Sequence, residues 1–558
     1  MLASIPNSPR IHRPAYVLIA VLIVIVVLSL AAYRFSDSMV SEYRAGVRTS
    51  ELAQARAAAV SGVHYAAAVL ADRETLITQV GDPLNNPDWF QDILVRSNPT
   101  NSNKELRFSI VSVAPVAPGV YEQRFGVSDE GGKLNINAMI ANDPTGKALY
   151  DALMKLPNMT AEVADAIVDW VDADDIPGNP DTGGGGTGGA EMAYYEALNP
   201  PYKVKNGPLN SLDELLLVKG VTPQLLYGTD RNRNGLADDG GAALDRGWSD
   251  YLTVHGRELN IDSSGQLRIW INGDDPRAVY NALISAVGDE MAAYIMGWKL
   301  FGRQAQTRLD DNGNPIPNQP GDGKGGGKGG GGKGGGGKGG GGSQQKVRVG
   351  GLDELIAAVE TRLESTSSSG GAINSIVDLI QTRLTLPRTS GSGGGGQGGN
   401  PSETVVYNSP LNDPSRRTEL LPLLLDKTTT KEAVELIPRL NVLTAPREVI
   451  AGLPGLEETD VDAILSAREG LTFGDPASQN TAWLITAANL SRNKFKRIEK
   501  YVTGTSMIYR VESIGYFAGG GTAARVEAII DTNMGAPRIV YFRELSDLDS
   551  PRAYRPQQ

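Results

Sequence analysis

An apolar block from Tyr16 to Tyr33, uninterrupted by any charge, limits what the start of this chain can become. It is rich in Val, Leu, Ile and Ala, and as an α-helix rising 1.5 Å per residue it reaches roughly 27 Å, enough to cross a hydrocarbon core. The membrane residues read from it are Val17, Leu18, Ile19, Ala20, Val21, Leu22, Ile23, Val24, Ile25, Val26, Val27 and Leu28. Ahead of the block, Arg10 and Arg13 stand in a segment without an acidic residue, so the positive-inside bias puts the N-terminus in the cytoplasm and the chain beyond Arg34 on the far side. A secretory signal peptide would end at a small-x-small site and give way to unrelated mature sequence. Here Ala31-Ala32-Tyr33-Arg34 continues into helix-compatible sequence. No proline occurs from Phe35 to Leu70, where Phe35, Met39, Tyr43, Val47, Leu52, Val63, Tyr65 and Leu70 alternate with Ala, Arg, Glu and Ser. The pattern predicts one helix of about fifty residues, half in lipid and half in water.

At 558 residues the chain is too long for one small domain. Its 67 glycines exceed ordinary usage and mark tethers. The first glycine tract, Gly321 to Gly342, carries Lys324, Lys328, Lys333 and Lys338, and as a flexible coil it spans about 26 Å. No Lys in it is followed by Ser or Thr, and no strand precedes it, which argues against a phosphate loop. The second tract runs from Gly391 to Asn400. Between them Leu352–Leu363 and Ile373–Leu384 share an apolar-apolar-x-x-x-Thr-Arg-Leu pattern and read as two helices. A net charge of −11 disfavours a nonspecific grip on nucleic acid or anionic lipid, and with no cysteine the chain has no disulfide.

Strand signals flank a mainly helical middle. Leu106–Val116 and Tyr121–Val127 come before it, and Ile508–Phe517, Ala524–Asp531 and Arg538–Phe542 form a meander after it. Within the middle, Lys133–Asn137, Leu267–Asn272 and Arg439–Leu443 each read as a short strand, the latter two leading into helices at Pro276 and Pro446. These signals give an α+β fold whose first and last strands share one antiparallel sheet, with residues 138 to 502 inserted between them.

The N-terminus resembles that of type IV pilin-like proteins, whose leader is cut before an aromatic or apolar residue. That alignment places the cut between Ala15 and Tyr16, with Ala where the family usually has Gly. The fifth mature residue is then Ala20, where most members carry a Glu. Minor pseudopilin K of the type II secretion system commonly lacks that Glu, and further segments resemble the same family. They are Ala164 to Asp175 with Asp169-Trp170-Val171-Asp172-Ala173-Asp174, Gly189-Ala190-Glu191 with Tyr194-Tyr195, Asn206-Gly207-Pro208-Leu209, Leu212 to Leu215, Val218 to Pro223, and Arg439 to Pro446. The resemblance implies a pilin-like fold interrupted by a large helical domain. It divides the chain into a leader (1–15), a transmembrane and amphipathic helix (16–72), the first part of the head (73–137), a helical insert (138–320), a linker (321–344), a helical pair (345–390), a second linker (391–402), the rest of the insert (403–502), the C-terminal strands (503–545) and a tail (546–558). It also implies a non-enzymatic tip subunit in the bacterial inner membrane with its bulk in the periplasm. The implied partners are minor pseudopilins I and J, other pseudopilins, the assembly platform and prepilin peptidase, which leaves an N-methylated terminus. A type IV pilus tip subunit and a single-span anchored protein remain open.

Calcium is the expected cofactor. Asp230, Asn232, Asn234, Leu236 and Asp238 give oxygen donors at positions 1, 3, 5, 7 and 9 of a loop with Gly235 at position 6, although Gly241 replaces the final Glu. Asp172, Asp174, Asp175 and Glu191 form a second candidate, because four neighbouring carboxylates repel one another without a cation. Catalysis has little support: His64 and His255 form no zinc-type pair, and there is no thiol or Gly-x-Ser-x-Gly elbow. Glu448 to Leu465 resembles a helix-hairpin-helix, with a reduced copy at Leu215–Leu226. Its second helix starts with Glu457, Glu458 and Asp460, which repel phosphate, so the pair reads as a packing element.

Overall fold

A computed structural model describes residues 14–117, 120–178, 188–233, 237–238, 244–302, 305–310, 314–316, 346–365, 371–387, 403–533 and 535–546. The first helix, Pro14–Ala71, is continuous over 58 residues. Its lower part is exposed, while from Ala55 onward Ala55, Ala59, Val63, Ala66 and Leu70 are buried against a sheet. Small side chains allow that close approach. A Cβ on Gly62 would strike Ser513 and Phe108, and one on Gly515 would strike the helix backbone at Ala55 and Ala59.

The sheet runs in the order Ile93–Arg96, Leu106–Ala117, Ile508–Phe517, Ala523–Asp531, Arg538–Glu544 and is antiparallel throughout. Val120–Phe125 folds back on Leu106–Ala117, and Ser128–Asp129 pairs with Tyr509 and Arg510. Its central pairing joins distant parts of the chain, with Val111 opposite Glu512 and Leu106 opposite Phe517. Period-two alternation sends Tyr509 and Val511 into the core under the helix and leaves Arg510 and Glu512 on the far face.

The chain leaves this head after Asp129 and returns at Ile508. The insert between them has its own apolar core, which starts at Leu134, slightly ahead of residue 138, and ends at Val502. Its most buried helix, Asp289–Phe301, is enclosed along Met291–Met296. The three short strands of the sequence pattern each find a parallel partner: Leu134–Asn135 with Leu252–Thr253, Ile269–Trp270 with Thr428–Thr429, and Leu440–Asn441 with Val502–Thr503.

One expectation fails. Leu352–Glu364 is a helix, but Ile373–Leu384 is not. A short 3₁₀ turn at Ile376–Leu379 leads to a strand, Thr382–Pro387, so 345–390 is not a helical pair. That strand lies between Glu403–Asn408 and Gln306–Arg308 in a four-stranded sheet completed by Lys346–Val349. Leu384 and Leu386 are buried while Arg383 and Thr385 are half-exposed, a period-two pattern that pairing with both neighbours stabilises over helix. Both glycine tracts lie outside the described residues and connect strands of this sheet.

Candidate metal centre and apolar stalk

The helix Ala161–Val171 is capped by Thr160, whose side chain accepts from the Val163 amide, and it buries Val163, Ile167, Trp170 and Val171. Asp169, fully buried on its last turn, accepts from the Gly178 amide at 3.1 Å and the Ala190 amide at 2.6 Å. Those bonds draw together the segment after the helix and the segment carrying Glu191. Gly189 passes so close to Asp169 and the Gly178 nitrogen that no Cβ fits. Trp170 and Tyr195 meet edge to face at 5.0 Å beside them.

Asp172, Asp174 and Glu191 are thereby gathered so that one carboxylate oxygen from each lies within 4.8 Å of the others. Asp172 and Glu191 are each only 6% exposed. One oxygen of Asp172 and both of Glu191 have no hydrogen-bond partner. Burial, reinforced by the neighbouring acids, pushes Asp172 up to about 7 and Glu191 up to about 8. Asp174 is exposed and accepts from the Ile176 amide at 2.8 Å, while the unpartnered oxygens of buried Asp172 and Glu191 suit a hard cation with oxygen ligands. Asp175 stands apart from the sequence-predicted foursome, exposed and accepting from the Asn206 amide at 2.9 Å.

The Asp230 loop suits a cation less well. Asn234 and Leu236 lie outside the described residues. Asp230 is buried beside the Arg246 guanidinium at 3.6 Å, and Asp238 accepts from Arg231 and from the Asn232 amide. Guanidinium groups already counter both carboxylates. The helix-hairpin-helix segment, Arg447–Ala451 with Glu458–Arg468, packs Gly452 against Ala152. Glu457 and Asp460 cap its second helix reciprocally and hold Lys494 at 3.1 and 2.7 Å, so carboxylates stand where a phosphate would bind. His64 is exposed, and His255 is half-buried 5.3 Å from the Tyr541 ring, with burial lowering its pKa.

The leader through Arg13 and the Ala15 side chain lie outside the description. Tyr16 is 81% exposed, and the apolar residues Val17 to Leu28 are exposed throughout. The helix is long and apolar enough there to cross a membrane. Between this apolar stretch and the head, Phe35, Met39, Val40, Tyr43 and Val47 are also exposed. At about 100° per residue they fall on one side of the helix, with Asp37, Ser41, Arg44 and Arg48 on the other. That apolar side is roughly opposite the Ala59, Gly62 and Ala66 side that meets the sheet, so the chain's own head cannot cover it. The organising role of Asp169 and the direction of this stripe were missed from sequence. Asp169 lies one turn before Asp172, and that spacing was the available signal.

Residues 132–228 match the family model for type II secretion system protein K, first domain. A 64-residue stretch is 44% identical to type II secretion system protein K of Aeromonas hydrophila, covering 12% of this chain and 17% of that protein's length. The crystal structure of the GspK-GspI-GspJ complex from enterotoxigenic Escherichia coli aligns over 91% of this chain and 99% of its own, at 10% identity and a TM-score of 0.34, too low to identify a shared fold.

Proposed function

We propose, from a chain whose residues 132–228 match the family model for type II secretion system protein K, that it is a minor pseudopilin at the tip of a secretion pseudopilus, starting and limiting filament assembly. The observation that carries this reading is the exposed apolar side from Phe35 to Val47, continuous with the membrane helix and turned away from its own head. An apolar stripe in water is costly alone and is buried by a neighbouring helix of the same kind. The insert makes the head bulky and obstructs stacking of another copy above it, which suits a tip position. Minor pseudopilins I and J are the proposed partners, with the other pseudopilins and the inner-membrane platform behind them.

On this reading prepilin peptidase cuts between Ala15 and Tyr16, the new terminus is N-methylated, and the helix sits in the inner membrane with the head in the periplasm. The role is structural, without catalysis. Calcium held by Asp172, Asp174 and Glu191 would pin the two segments at the end of Ala161–Val171, relieving the repulsion that burial imposes. The test is deletion of the gene followed by complementation. Secretion into the medium should be lost and restored by the wild type but not by Tyr43→Glu, while twitching and attachment stay intact. Loss of twitching with normal secretion would instead favour a pilus machine.

A further inference from the structure

The head and the insert have separate apolar cores, and the seam between them is charged. On the far face of the head sheet, Arg525 and Glu527 are 2% and 1% exposed, and Glu512 is buried with them. Arg233 of the insert reaches across to Glu527 at 2.8 Å, while the Arg525 guanidinium donates to the Asn232 and Arg233 carbonyls. Arg233 takes a left-handed backbone (φ 57°), unfavourable for a non-glycine residue and held here from both ends. Arg543 to Asp213 at 2.9 Å, Arg257 to Asp531 at 3.3 Å and Arg246 to Glu512 at 3.7 Å also cross the seam, the first of them further out. A cleft of about 580 Å³, roomy enough for water, opens along Asp213, Arg233, Glu512 and Glu527.

Among the described residues the chain crosses the seam at Ser128–Lys133 and Thr503–Met507. The crossings run side by side: Asp129 pairs with Tyr509, and Gly131 lies against Ser506. Two adjacent crossings make one hinge, and the ionic contacts step outward from it.

We propose that the insert is a separable lobe latched onto the far face of the head sheet by Arg233 in Glu527, and that it swings about the paired crossings when the latch is released. A seam with a hydrophobic core would fix the lobes as one body. An ionic seam can exchange its direct pairs for water-bridged ones on opening and leaves both apolar cores intact. The latch therefore sets whether the lobe lies flat on the sheet or stands away from it, independently of which machine the subunit serves.

The absence of cysteine makes the test direct. Spin labels at Glu122→Cys on the head and Lys155→Cys on the insert, both exposed positions, report the interlobe distance in the full chain in nanodiscs. The wild type and Arg233→Lys should give one narrow distribution. Arg233→Glu should raise the population at longer distances at least tenfold, with near-ultraviolet dichroism unchanged. Arg543→Glu, at the more exposed contact, should act in the same direction and serves if Arg233→Glu does not fold. The same narrow distribution in a folded charge-reversal variant would overturn the latch.

Discussion

Asp169 shows how one buried side chain organises a site. It satisfies two amides from separate segments and has burial raise its pKa to about 6, against the pull of those bonds. Asp169→Ala strands both amides, so we expect a loss of about 3 kcal/mol in denaturant unfolding. For Glu191→Gln the expected result concerns calcium. The wild type should melt a few degrees higher in excess calcium than in chelator, and the variant should lose most of that difference. Equal melting temperatures for the wild type would remove the metal. A pH effect belongs to Glu527: burial alone would raise it, but the Arg510 and Arg233 guanidiniums hold it down to about 2. Its unfolded value is near 4.3, so its contribution is present above that and is lost as pH falls toward 2. Glu527→Gln should be less stable at pH 7 and show a flatter stability profile between pH 4.5 and 3. From the sequence, Asp172, Asp174 and Glu191 were grouped with Asp175, which the structure leaves out of the cluster. Asp169 was not legible, since an Asp on a helix looks alike whether it binds an ion or an amide.

Among the elements, the first helix was the most legible: its pattern predicts a break-free helix to Leu70, and the structure ends it at Ala71. Periodicity also located the C-terminal strands Ile508–Phe517, Ala523–Asp531 and Arg538–Glu544 to within two residues. It failed at Thr382-Arg383-Leu384, which repeats the Thr361-Arg362-Leu363 pattern and yet forms a strand, because two distant strands pair with it and local sequence does not contain them. How closely the helix meets the sheet was equally invisible. Gly515→Val should force the helix off the sheet and destabilise the head by about 3 kcal/mol or more in thermal or denaturant unfolding. Tyr43, 73% exposed, lies on the far side of the same helix, so the melting temperature of Tyr43→Glu should match the wild type even as assembly fails.

Across the whole chain, a continuous sheet built from both of its ends carries a second body in its middle, and the first helix, long and apolar enough to cross a membrane, extends from the head. The sequence order of strands, helices and strands suggested the insertion. The charged seam did not show, because its residues pair across hundreds of positions. On the proposed reading the first helix belongs to a processed filament subunit and is not a permanent anchor. The measurement that tests it is intact mass with N-terminal peptide analysis of the protein from its native membrane. A mature chain starting at Tyr16 with a methylated amine is the expected result; an uncut chain retaining Arg10 and Arg13 would contradict the filament-subunit reading.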